Sequence, residues 1–497
     1  MSFAQIHTRS VIGLTAPSVT VEVHISQGLP TLTMVGLPEA SVRESKDRVR
    51  SAIINSGFDF PNRRITINLA PADLSKDGAR LDLPIAIGIL TASGQIDETV
   101  LDNFEFIGEL ALNGDLRGIT GSLSVARILK GGERTLILPR ANASEAVQVM
   151  DICVLGADSL TQVCHHLNAI NGGNIHDRLT PTALPITKAV ATYPLDLSDV
   201  KGQHHARRAL EICATGGHSV LFKGSPGSGK TLMASRLPSI LPPLNDDEAL
   251  EVASVYSVAG LPYDFGMRPF RSCHHTMSAV ALSGGGSRPK PGEISLAHRG
   301  VLFLDELPEF DRKTLEVMRQ PLESKEIIIS RANAQVAYPA NFQLIGAMNP
   351  CPCGYHGDPS NRCRCTPNQI HRYQDKISGP LLDRIDLHVH VPAMAIDDLQ
   401  STPQGESSAV VRERVVHARN IALNRQGKAN SELTPSEIDT HIPLGMAEKQ
   451  FLAAAQSRLN LSARSYHRVL RVARTIADLA GAKSVGTAHL AEALSYR

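Results

Sequence analysis

Three short apolar runs in the middle of the chain are each followed at once by polar or glycine-rich residues. They lie within His218–Leu237, Arg299–Phe310 and Phe342–Asn349. Short apolar runs bounded by turn residues are typical of buried strands. Between residues 195 and 400 such runs alternate with helical patterns and glycine-rich loops, which predicts an α/β domain.

The segments on either side of this α/β domain have different patterns. Residues 1–165 mix short helical patterns with the β-rich runs Ile65–Ala70 and Thr135–Pro139, as in an α+β domain. Residues 166–194 carry Gly-Gly, Asn, Asp and proline with weak periodicity and are predicted to be a linker. Residues 401–497 open on a polar stretch and then have helical periodicity without a strand-like run, which predicts a helical lid. A chain of 497 residues is too long for one hydrophobic core, in agreement with this division.

The composition argues against a membrane protein and gives no global sign of nucleic acid. The formal net charge is +1, so a nucleic-acid site would have to be a local basic patch. The longest apolar run, Leu83–Ala92, is too short to span a bilayer, and Met1–Ser10 lacks the plan of a signal peptide. We therefore expect a cytoplasmic protein with reduced cysteines and no membrane partner. Clustered cysteines in such a protein bind metal more often than they form disulfides.

A phosphate-binding loop follows the first apolar run. The letters GSPGSGKT satisfy the pattern G-x-x-x-x-G-K-[ST] at every position, between a strand-like run and a run of helix formers. Backbone N–H groups of such a loop wrap phosphate oxygens, the lysine places a charge at the β- and γ-phosphates, and the final hydroxyl ligates Mg²⁺. The predicted ATP-binding residues are Gly224, Ser225, Pro226, Gly227, Ser228, Gly229, Lys230 and Thr231.

The other two apolar runs end in groups that ATP hydrolysis needs. Asp305 and Glu306 follow the second run. Asp305 is predicted to hold Mg²⁺, directly or through water, and Glu306 to orient and deprotonate the attacking water. Asn349 ends the third run and is suited to hold that water or to sense the γ-phosphate, although an asparagine in a turn before Pro350 is also ordinary.

Together these motifs resemble those of AAA+ ATPases. The resemblance covers a Walker A loop, a Walker B pair of the Asp-Glu type, an asparagine at the end of the next strand and a helical tail. Ser378–Val389 is similar to the segment that carries the trans-acting arginine finger in the magnesium-chelatase and replicative-helicase branch, which makes Arg384 the candidate finger. Leu461–Gly481 is similar to the sensor-2 helix of that branch, with Arg464 in the sensing position. An arginine that acts in trans implies a ring, usually of six subunits.

Both arginines also have an ordinary alternative, a place on a helix surface. The basic residues Arg464, Arg468, Arg471 and Arg474 recur at three- and four-residue spacing. That spacing places them on one side of a helix, so a basic helical face is a second interpretation.

The N-terminal residues resemble a different enzyme domain. Ile67–Leu90 and Ile107–Asn142 are similar to the proteolytic domain of Lon-type ATP-dependent proteases, which implies a fold like that of ribosomal protein S5. Lon chemistry needs a serine activated by a lysine. Here KDGA is followed by Arg80 where that pattern has its serine, and no lysine lies near Ser122–Ser124, the next being Lys130. We therefore expect a scaffold, a DNA-contacting module or a ring-assembly module rather than a protease.

Half of the eight cysteines lie within residues 351–365, a stretch rich in Gly, Pro and Asn. They are Cys351, Cys353, Cys363 and Cys365, with the spacing C-x-C-x9-C-x-C. A loop with so little apolar content cannot order itself by burial, whereas four thiolates on Zn²⁺ would order it. His356 and His371 are alternative ligands, and reduced free thiols or a redox switch are alternative interpretations. A zinc site here would brace the loop between the nucleotide sensor and the arginine finger.

Two further loops are candidates for contact with DNA. Ser283–Ser295 carries Arg288 and Lys290 on a glycine-rich tip, at the place of the helix-2 insertion, which in this branch of AAA+ proteins faces the ring pore. Glu326–Pro339 is predicted to be a hairpin that turns at residues 331–333, similar to the pre-sensor-1 hairpin of the branch. Basic tips of this kind contact a phosphate backbone without reading sequence. Each loop taken alone is also compatible with an ordinary surface loop.

Over nearly its whole length the chain resembles the ComM/YifB group of competence proteins, which are magnesium-chelatase-like bacterial proteins. The resemblance includes the N-terminal domain and the stretch CPCG…CRC. It implies an ATP-driven hexameric motor that acts on DNA by branch migration or unwinding during recombination of incoming DNA. Its partners would be single-stranded, forked or junction DNA, further copies of the chain, and recombination proteins.

Three other functions are alternatives. A protein remodeller or protease is disfavoured by the missing serine–lysine dyad. A chelatase-type assembly ATPase would need a separate partner protein, because the chain has no D-x-S-x-S metal-adhesion motif. A nucleotide-gated binding scaffold is disfavoured because Glu306 is intact.

Overall fold

The chain folds into two compact units. A computed structural model describes residues 2–36, 40–72, 74, 76, 79–184, 192–286, 289–331, 334–358, 362–394, 403–459 and 461–497. The first unit comprises Met1–Lys188 with Ala253–Tyr263, and the second comprises Ala189–Val252 with Asp264–Arg497. Within those described ranges, no helix is long and apolar enough to cross a lipid bilayer.

The first unit contains a four-stranded sheet and a three-stranded sheet. Its strands are β1 (Phe3–Arg9), β2 (Ser18–Ser26), β3 (Thr31–Val35), β4 (Arg64–Ala70), β5 (Phe104–Phe106), β6 (Glu109–Leu110), β7 (Leu116–Arg117), β8 (Thr135–Pro139) and β9 (Val154–Ala157). The larger sheet has the order β1-β2-β4-β3 and is antiparallel except for the parallel β3–β4 pair. In the smaller sheet β5, β8 and β9 are parallel, and β6 pairs with β7 alone. The two runs predicted as strands in this unit are confirmed as β4 and β8.

The helices of the first unit cover its sheets and correct one predicted boundary. They are α1 (Ala40–Asn55), α2 (Asp82–Ala92), α3 (Ser122–Leu129), α4 (Arg140–Ala146) and α5 (Leu160–Ile170). Every residue of α2 is buried, which accounts for the long apolar run there. The helix α5 is capped by Ser159 and buries Val163 and Leu167, so it continues to Ile170. The first residues of the segment predicted as a linker from residue 166 are therefore helical, because their apolar side chains have a core to pack into.

A five-stranded parallel sheet organises the second unit. The strands of this unit are β10 (Val220–Lys223), β11 (Phe270–Cys273), β12 (Gly284–Gly285), β13 (Lys290–Pro291), β14 (Val301–Leu304), β15 (Glu326–Arg331), β16 (Ala334–Pro339), β17 (Gln343–Met348) and β18 (Leu387–His390). The sheet has the order β11-β14-β17-β10-β18, and all neighbours in it are parallel. The three apolar runs of the sequence are β10, β14 and β17, and they lie next to one another in the sheet in the order β14-β17-β10. Because the carboxyl ends of parallel strands meet at one edge, the polar residues that follow these strands lie together.

Two short antiparallel pairs form beside the sheet. In the hairpin β15–β16 the last pair is Arg331 with Ala334, and β12 pairs with β13. The hydroxyl of Tyr338 in β16 donates to the backbone oxygen of Pro289 at 2.8 Å, so the predicted hairpin and the loop before β13 are in contact. The predicted tip residues Arg288, Ala332 and Asn333 lie outside the described residues.

Helices make up most of the described part of the C-terminal segment in the second unit. The helices of this unit are α6 (His204–Gly216), α7 (Lys230–Ala234), α8 (Leu237–Ile240), α9 (Asp246–Ala259, whose residues from Ala253 belong to the first unit), α10 (Ala279–Ser283), α11 (Glu293–Leu296), α12 (Arg312–Glu316), α13 (Arg319–Ser324), α14 (Pro367–Gln374), α15 (Gly379–Leu382), α16 (Ser408–Gln426), α17 (Pro435–His441), α18 (Met446–Leu459), α19 (Ala463–Leu479) and α20 (Thr487–Leu494). Phe222 of β10 shares one hydrophobic core with Ile212 of α6, Val415 of α16 and Leu470 of α19. The predicted helical lid therefore packs into the same compact unit as the sheet.

Candidate active site

The loop between β10 and α7 needs glycine at two points. Gly229 has φ +90°, in the left-handed region that other side chains disfavour. A Cβ atom on Gly224 would lie 2.2 Å from the backbone oxygen of Val391. The hydroxyl of Ser228 is buried and has no hydrogen-bond partner among the described residues. An unused donor in a glycine-lined loop fits the phosphate groups of a nucleotide.

Lys230 joins this loop to the sensor strand. Its side chain is buried, and Nζ donates to the backbone oxygens of Gly224 at 2.7 Å and Ser225 at 2.9 Å. Nζ also lies 3.2 Å from Oδ1 of Asn349, the residue that follows β17. Burial lowers the pKa of Lys230, although the carboxylates of Asp305 and Glu306 act in the opposite direction. The structure thus brings Asn349 to the phosphate loop, as its place after the third apolar run predicts.

Thr231 and Asp305, the two predicted Mg²⁺ ligands, are in contact. Oγ1 of Thr231 donates to Oδ2 of Asp305 at 2.9 Å, although the two residues come from different strand ends. Hydroxyl and carboxylate oxygens are the hard ligands that Mg²⁺ prefers, so the residues present fit this ion. When bound, Mg²⁺ neutralises charge that develops on the phosphates of ATP.

Glu306 has a strained backbone at the end of β14. Its φ and ψ are +52° and +48°, a left-handed conformation that is uncommon for non-glycine residues. Its backbone N–H donates to Oδ1 of Asp305 at 2.9 Å, which holds the Asp305 carboxylate against the backbone of Glu306. The side chain of Glu306 is 48% exposed, so water can reach the carboxylate that is expected to activate it.

His275 is a neighbour of this carboxylate that the sequence patterns did not indicate. Nδ1 of His275 lies 3.0 Å from Oε2 of Glu306. The contact follows from strand order, because β11 and β14 are parallel neighbours with Cys273 opposite Leu304. The residues just after these two strands must therefore also be neighbours. The signal for His275 would have been a pair of histidines directly after the strand-like run FRSC.

The two predicted arginines meet at one carboxylate. Nη2 of Arg384 and Nη2 of Arg464 both donate to Oε1 of Glu323, at 2.5 Å and 3.3 Å. Glu323 lies at the end of α13, and sequence patterns gave no reason to single it out. All three residues line a cavity of about 780 Å³, and the described residues that line it include none from Walker A or Walker B. The structure thus brings Arg384 and Arg464 to each other and not to the phosphate loop of the same chain.

The alternative of a basic helical face on α19 is wrong for two of its four arginines. Arg468 is 3% exposed, and its Nη1 donates to the backbone oxygen of Ile385 at 3.2 Å. Arg474 is 2% exposed and donates to Oδ1 of Asp478 at 2.8 Å. Both side chains are buried and hydrogen-bonded within the chain, because the side of the helix that carries them packs against the core. Arg464, at the start of the helix, is far more exposed than Arg468 and Arg474, with 55% of its side chain accessible to solvent.

The four clustered cysteines converge on one point. Sγ of Cys351 lies 3.4 Å from Sγ of Cys353 and 3.8 Å from Sγ of Cys363, and the last two sulfurs are 3.7 Å apart. Cys365 completes the group, in which all ligand atoms lie within 4.8 Å of one another. Four sulfurs around zinc at about 2.3 Å would be about 3.8 Å apart, whereas a disulfide would bring two to about 2.05 Å. The arrangement fits a tetrahedral metal site, and neither His356 nor His371 belongs to it among the described residues.

One of these thiols ionises readily. Backbone N–H groups of Tyr355 and Arg364 lower the pKa of Cys353 to about 6. This pKa favours the thiolate, the form in which cysteine binds metal, whereas the pKa values of Cys363 and Cys365 in the same cluster are raised.

The first unit shows no serine–lysine dyad in its described part. Lys76 is fully buried and its Nζ donates to the backbone oxygen of Pro71. Ser122 donates to Oε2 of Glu145 at 2.5 Å, so its partner is a carboxylate rather than an amine. Ser75, which precedes Lys76, lies outside the described residues.

Comparison with known proteins decides the family. A family model described as magnesium chelatase, subunit ChlI, matches residues 196–399, and two further ChlI models match residues 21–142 and 405–497. Competence protein ComM of Haemophilus influenzae is 50% identical over 506 residues, which span 100% of this chain and 98% of ComM. The chain belongs to the ComM/YifB family. YifB of Escherichia coli is 48% identical over 502 residues, which span 100% of this chain and 97% of YifB.

The magnesium-chelatase subunits are more distant relatives of this ComM/YifB protein. The 38 kDa subunit of magnesium chelatase from Cereibacter sphaeroides is 27% identical over 179 residues, which span 32% of this chain and 53% of that subunit. The predicted fold class is confirmed as a mixed α/β chain with a ChlI-type N-terminal domain, an AAA+ core and a helical C-terminal domain. The family and the assembled phosphate site together support ATPase activity.

Proposed function

We propose that this ComM/YifB protein is a cytoplasmic, ATP-driven hexameric motor that moves branch points or unwinds DNA during recombination of incoming DNA. The motor is supported by the phosphate site, in which the residues that follow β10, β14 and β17 come together. DNA as the substrate is supported by the similarity to a competence protein over the whole chain, and this observation carries the proposal. Recombination proteins would be its partners in that process.

The ring is proposed from the position of the two arginines. Arg384 and Arg464 meet at Glu323, in a cavity whose described lining leaves out the phosphate-site residues of the same chain. From there they would reach the nucleotide of a neighbouring subunit, with Arg384 as the arginine finger and Arg464 as the sensor. Contacts of this head-to-tail kind close into rings, and AAA+ proteins of this branch usually form hexamers.

The surface proposed to touch DNA combines the helix-2 insertion with the hairpin β15–β16. Tyr338 donates to Pro289, and a Cβ atom on Gly284 would lie 2.8 Å from the side chain of Ile329. The two elements therefore support each other instead of standing as separate surface loops. Lys290 of the insertion is exposed, as a side chain that contacts phosphates must be.

We expect DNA to stimulate ATP hydrolysis through this surface. Hydrolysis would be measured with no addition, with single-stranded DNA, with a four-way junction and with unfolded protein. Both DNA forms should raise the rate, and the double substitution Arg288→Ala with Lys290→Ala should reduce that rise. Because the double substitution removes two predicted phosphate contacts, the dependence of DNA affinity on salt should become weaker. The magnitude of the slope of log DNA affinity against log salt concentration should fall by about 2. Lys313→Ala, an exposed lysine in α12, is the matched control.

The proposal would be contradicted if neither DNA form changed the rate of ATP hydrolysis and unfolded protein raised it. It would favour the second candidate, a chelatase-type ATPase that works on a partner protein. That candidate is supported by the three ChlI models, which together match most of the chain.

We also propose that Cys351, Cys353, Cys363 and Cys365 bind one structural Zn²⁺. The support is the convergence of their sulfur atoms at separations close to those of a tetrahedral site. Bound zinc would order a loop that has few apolar side chains of its own.

We expect the purified protein to contain about one zinc ion per chain, as in other four-cysteine sites. Cys363→Ser should lower that content strongly, because a serine hydroxyl does not replace a thiolate on zinc. Metal content would be measured by atomic emission after gel filtration. Cys153→Ser, at an exposed cysteine outside the cluster, is the control and should leave the zinc content unchanged. Equal zinc content in both variants, or none in the unaltered protein, would contradict the zinc site.

A further inference from the structure

The cysteine loop, residues 351–365, contacts the phosphate loop directly. Oγ of Ser225 donates to Oδ2 of Asp358 at 3.1 Å. Ser225 is the second residue of the Walker A motif and is 8% exposed, so the bond holds a residue inside the nucleotide site. Asp358 lies between the two cysteine pairs, in the part of the loop that a metal would order.

A second contact lies next to the first. A Cβ atom on Gly354 would lie 2.6 Å from Cδ of Pro226, the residue after Ser225. Gly354 also has φ +84°, which other residues disfavour. The cysteine loop is thus packed so closely against the phosphate loop that this position takes no side chain.

The cysteine loop is also tied to the sensor strand. Cys351 comes two residues after Asn349, and Oδ1 of Asn349 accepts from Lys230. The backbone oxygen of Pro350 accepts from Nε2 of Gln374 at 3.0 Å, and the N–H of Gly354 donates to the backbone oxygen of Cys351 at 2.9 Å. A change in the order of this loop would therefore reach two sides of the nucleotide site.

We propose that zinc in the cysteine loop sets the affinity of the phosphate loop for nucleotide, through the contacts of Asp358 with Ser225 and of Gly354 with Pro226. This inference rests on the proposed zinc site. With the metal bound, the cysteine loop holds the two Walker A residues in place. Without it, the phosphate loop must be ordered by the nucleotide itself, and that ordering lowers affinity.

The test measures binding of ADP to the full-length protein by titration calorimetry, with zinc bound, after removal of zinc by a chelator, and after zinc is restored. We expect the stripped protein to bind ADP about tenfold more weakly and the restored protein to regain its affinity. Circular dichroism of each sample verifies that the stripped chain is folded. Equal affinity for ADP with and without zinc would overturn the proposal.

The variant Asp358→Ala tests the coupling without the use of a chelator. This variant should keep its zinc and bind ADP roughly three- to tenfold more weakly, the effect of one hydrogen bond. Its affinity should also respond less to zinc removal than that of the unaltered protein. Asp375→Ala, at an exposed carboxylate that follows α14, is the matched control and should behave like the unaltered protein. Unchanged ADP affinity in zinc-loaded Asp358→Ala would overturn the coupling.

These readings separate the possible failures. Absence of zinc in the purified protein would overturn the metal site and the inference together, without touching the DNA motor. A normal zinc content together with an ADP affinity that is the same with and without zinc would overturn the inference alone. Loss of DNA stimulation would leave both unaffected, because ADP binding is measured without DNA.

Discussion

Glu306→Gln is expected to reduce ATP hydrolysis by about 10²- to 10⁴-fold while the protein still binds ATP. The amide keeps the shape of the side chain but cannot take a proton from water. The carboxylate that it replaces is accessible to solvent and belongs to the residue directly after Asp305, the predicted Mg²⁺ ligand. Phosphate release gives the rate, and a fluorescent ATP analogue gives the affinity.

Glu309→Gln is the matched control for this experiment. Glu309 lies three residues further on and pairs with Lys376 at the surface, so the same change there should leave the rate close to that of the unaltered protein. Hydrolysis by Glu306→Gln at nearly the unaltered rate would contradict the assignment of Glu306 as the base.

Arg384→Ala is expected to lower ATP hydrolysis by about 10³-fold or more, because an arginine finger stabilises charge in the transition state. The structure makes a sharper prediction for mixtures. Lys230→Ala should also be inactive, since it removes the lysine of the phosphate loop. In a ring that contains both variants, some interfaces pair an intact phosphate loop with an intact Arg384. Mixing two inactive proteins should therefore restore part of the activity.

The mixing experiment separates action in trans from action in cis. If Arg384 acted on the ATP of its own chain, no mixture of the two variants would hydrolyse ATP. Arg372→Ala, at an exposed arginine of α14, is the control for loss of positive charge nearby and should retain activity. Hydrolysis by Arg384→Ala at the unaltered rate would exclude it as the finger.

The sheet of the second unit was predictable because each of its central strands is a buried run that ends in a functional residue. The strands β10, β14 and β17 are short, apolar and bounded by turns, so local pattern is enough to find them. The place of Ala253–Tyr263 with the first unit was not predictable. Residues 253–259 are the second half of helix α9, and the helical pattern does not change at the point within the helix where one unit gives way to the other.

Some residues of the candidate site could likewise be predicted from the sequence, and others could not. Lys230, Thr231 and Asp305 could be placed because each belongs to a motif whose spacing is set by contact with phosphate or metal. His275 and Glu323 could not, because their contacts depend on which strands are neighbours and on how a helix meets the C-terminal segment. Such contacts between distant parts of the chain leave no period or spacing in the sequence.

The central claim is that ATP hydrolysis by this ComM/YifB protein moves a DNA branch point. The most direct measurement incubates the full-length protein with a fluorescently labelled four-way junction and separates the products on a gel. With ATP and Mg²⁺ we expect the junction to be converted into forked products, whereas Glu306→Gln should bind the junction and leave it intact. The account would be contradicted if the junction stayed intact with active protein and ATP and if DNA did not change the rate of ATP hydrolysis.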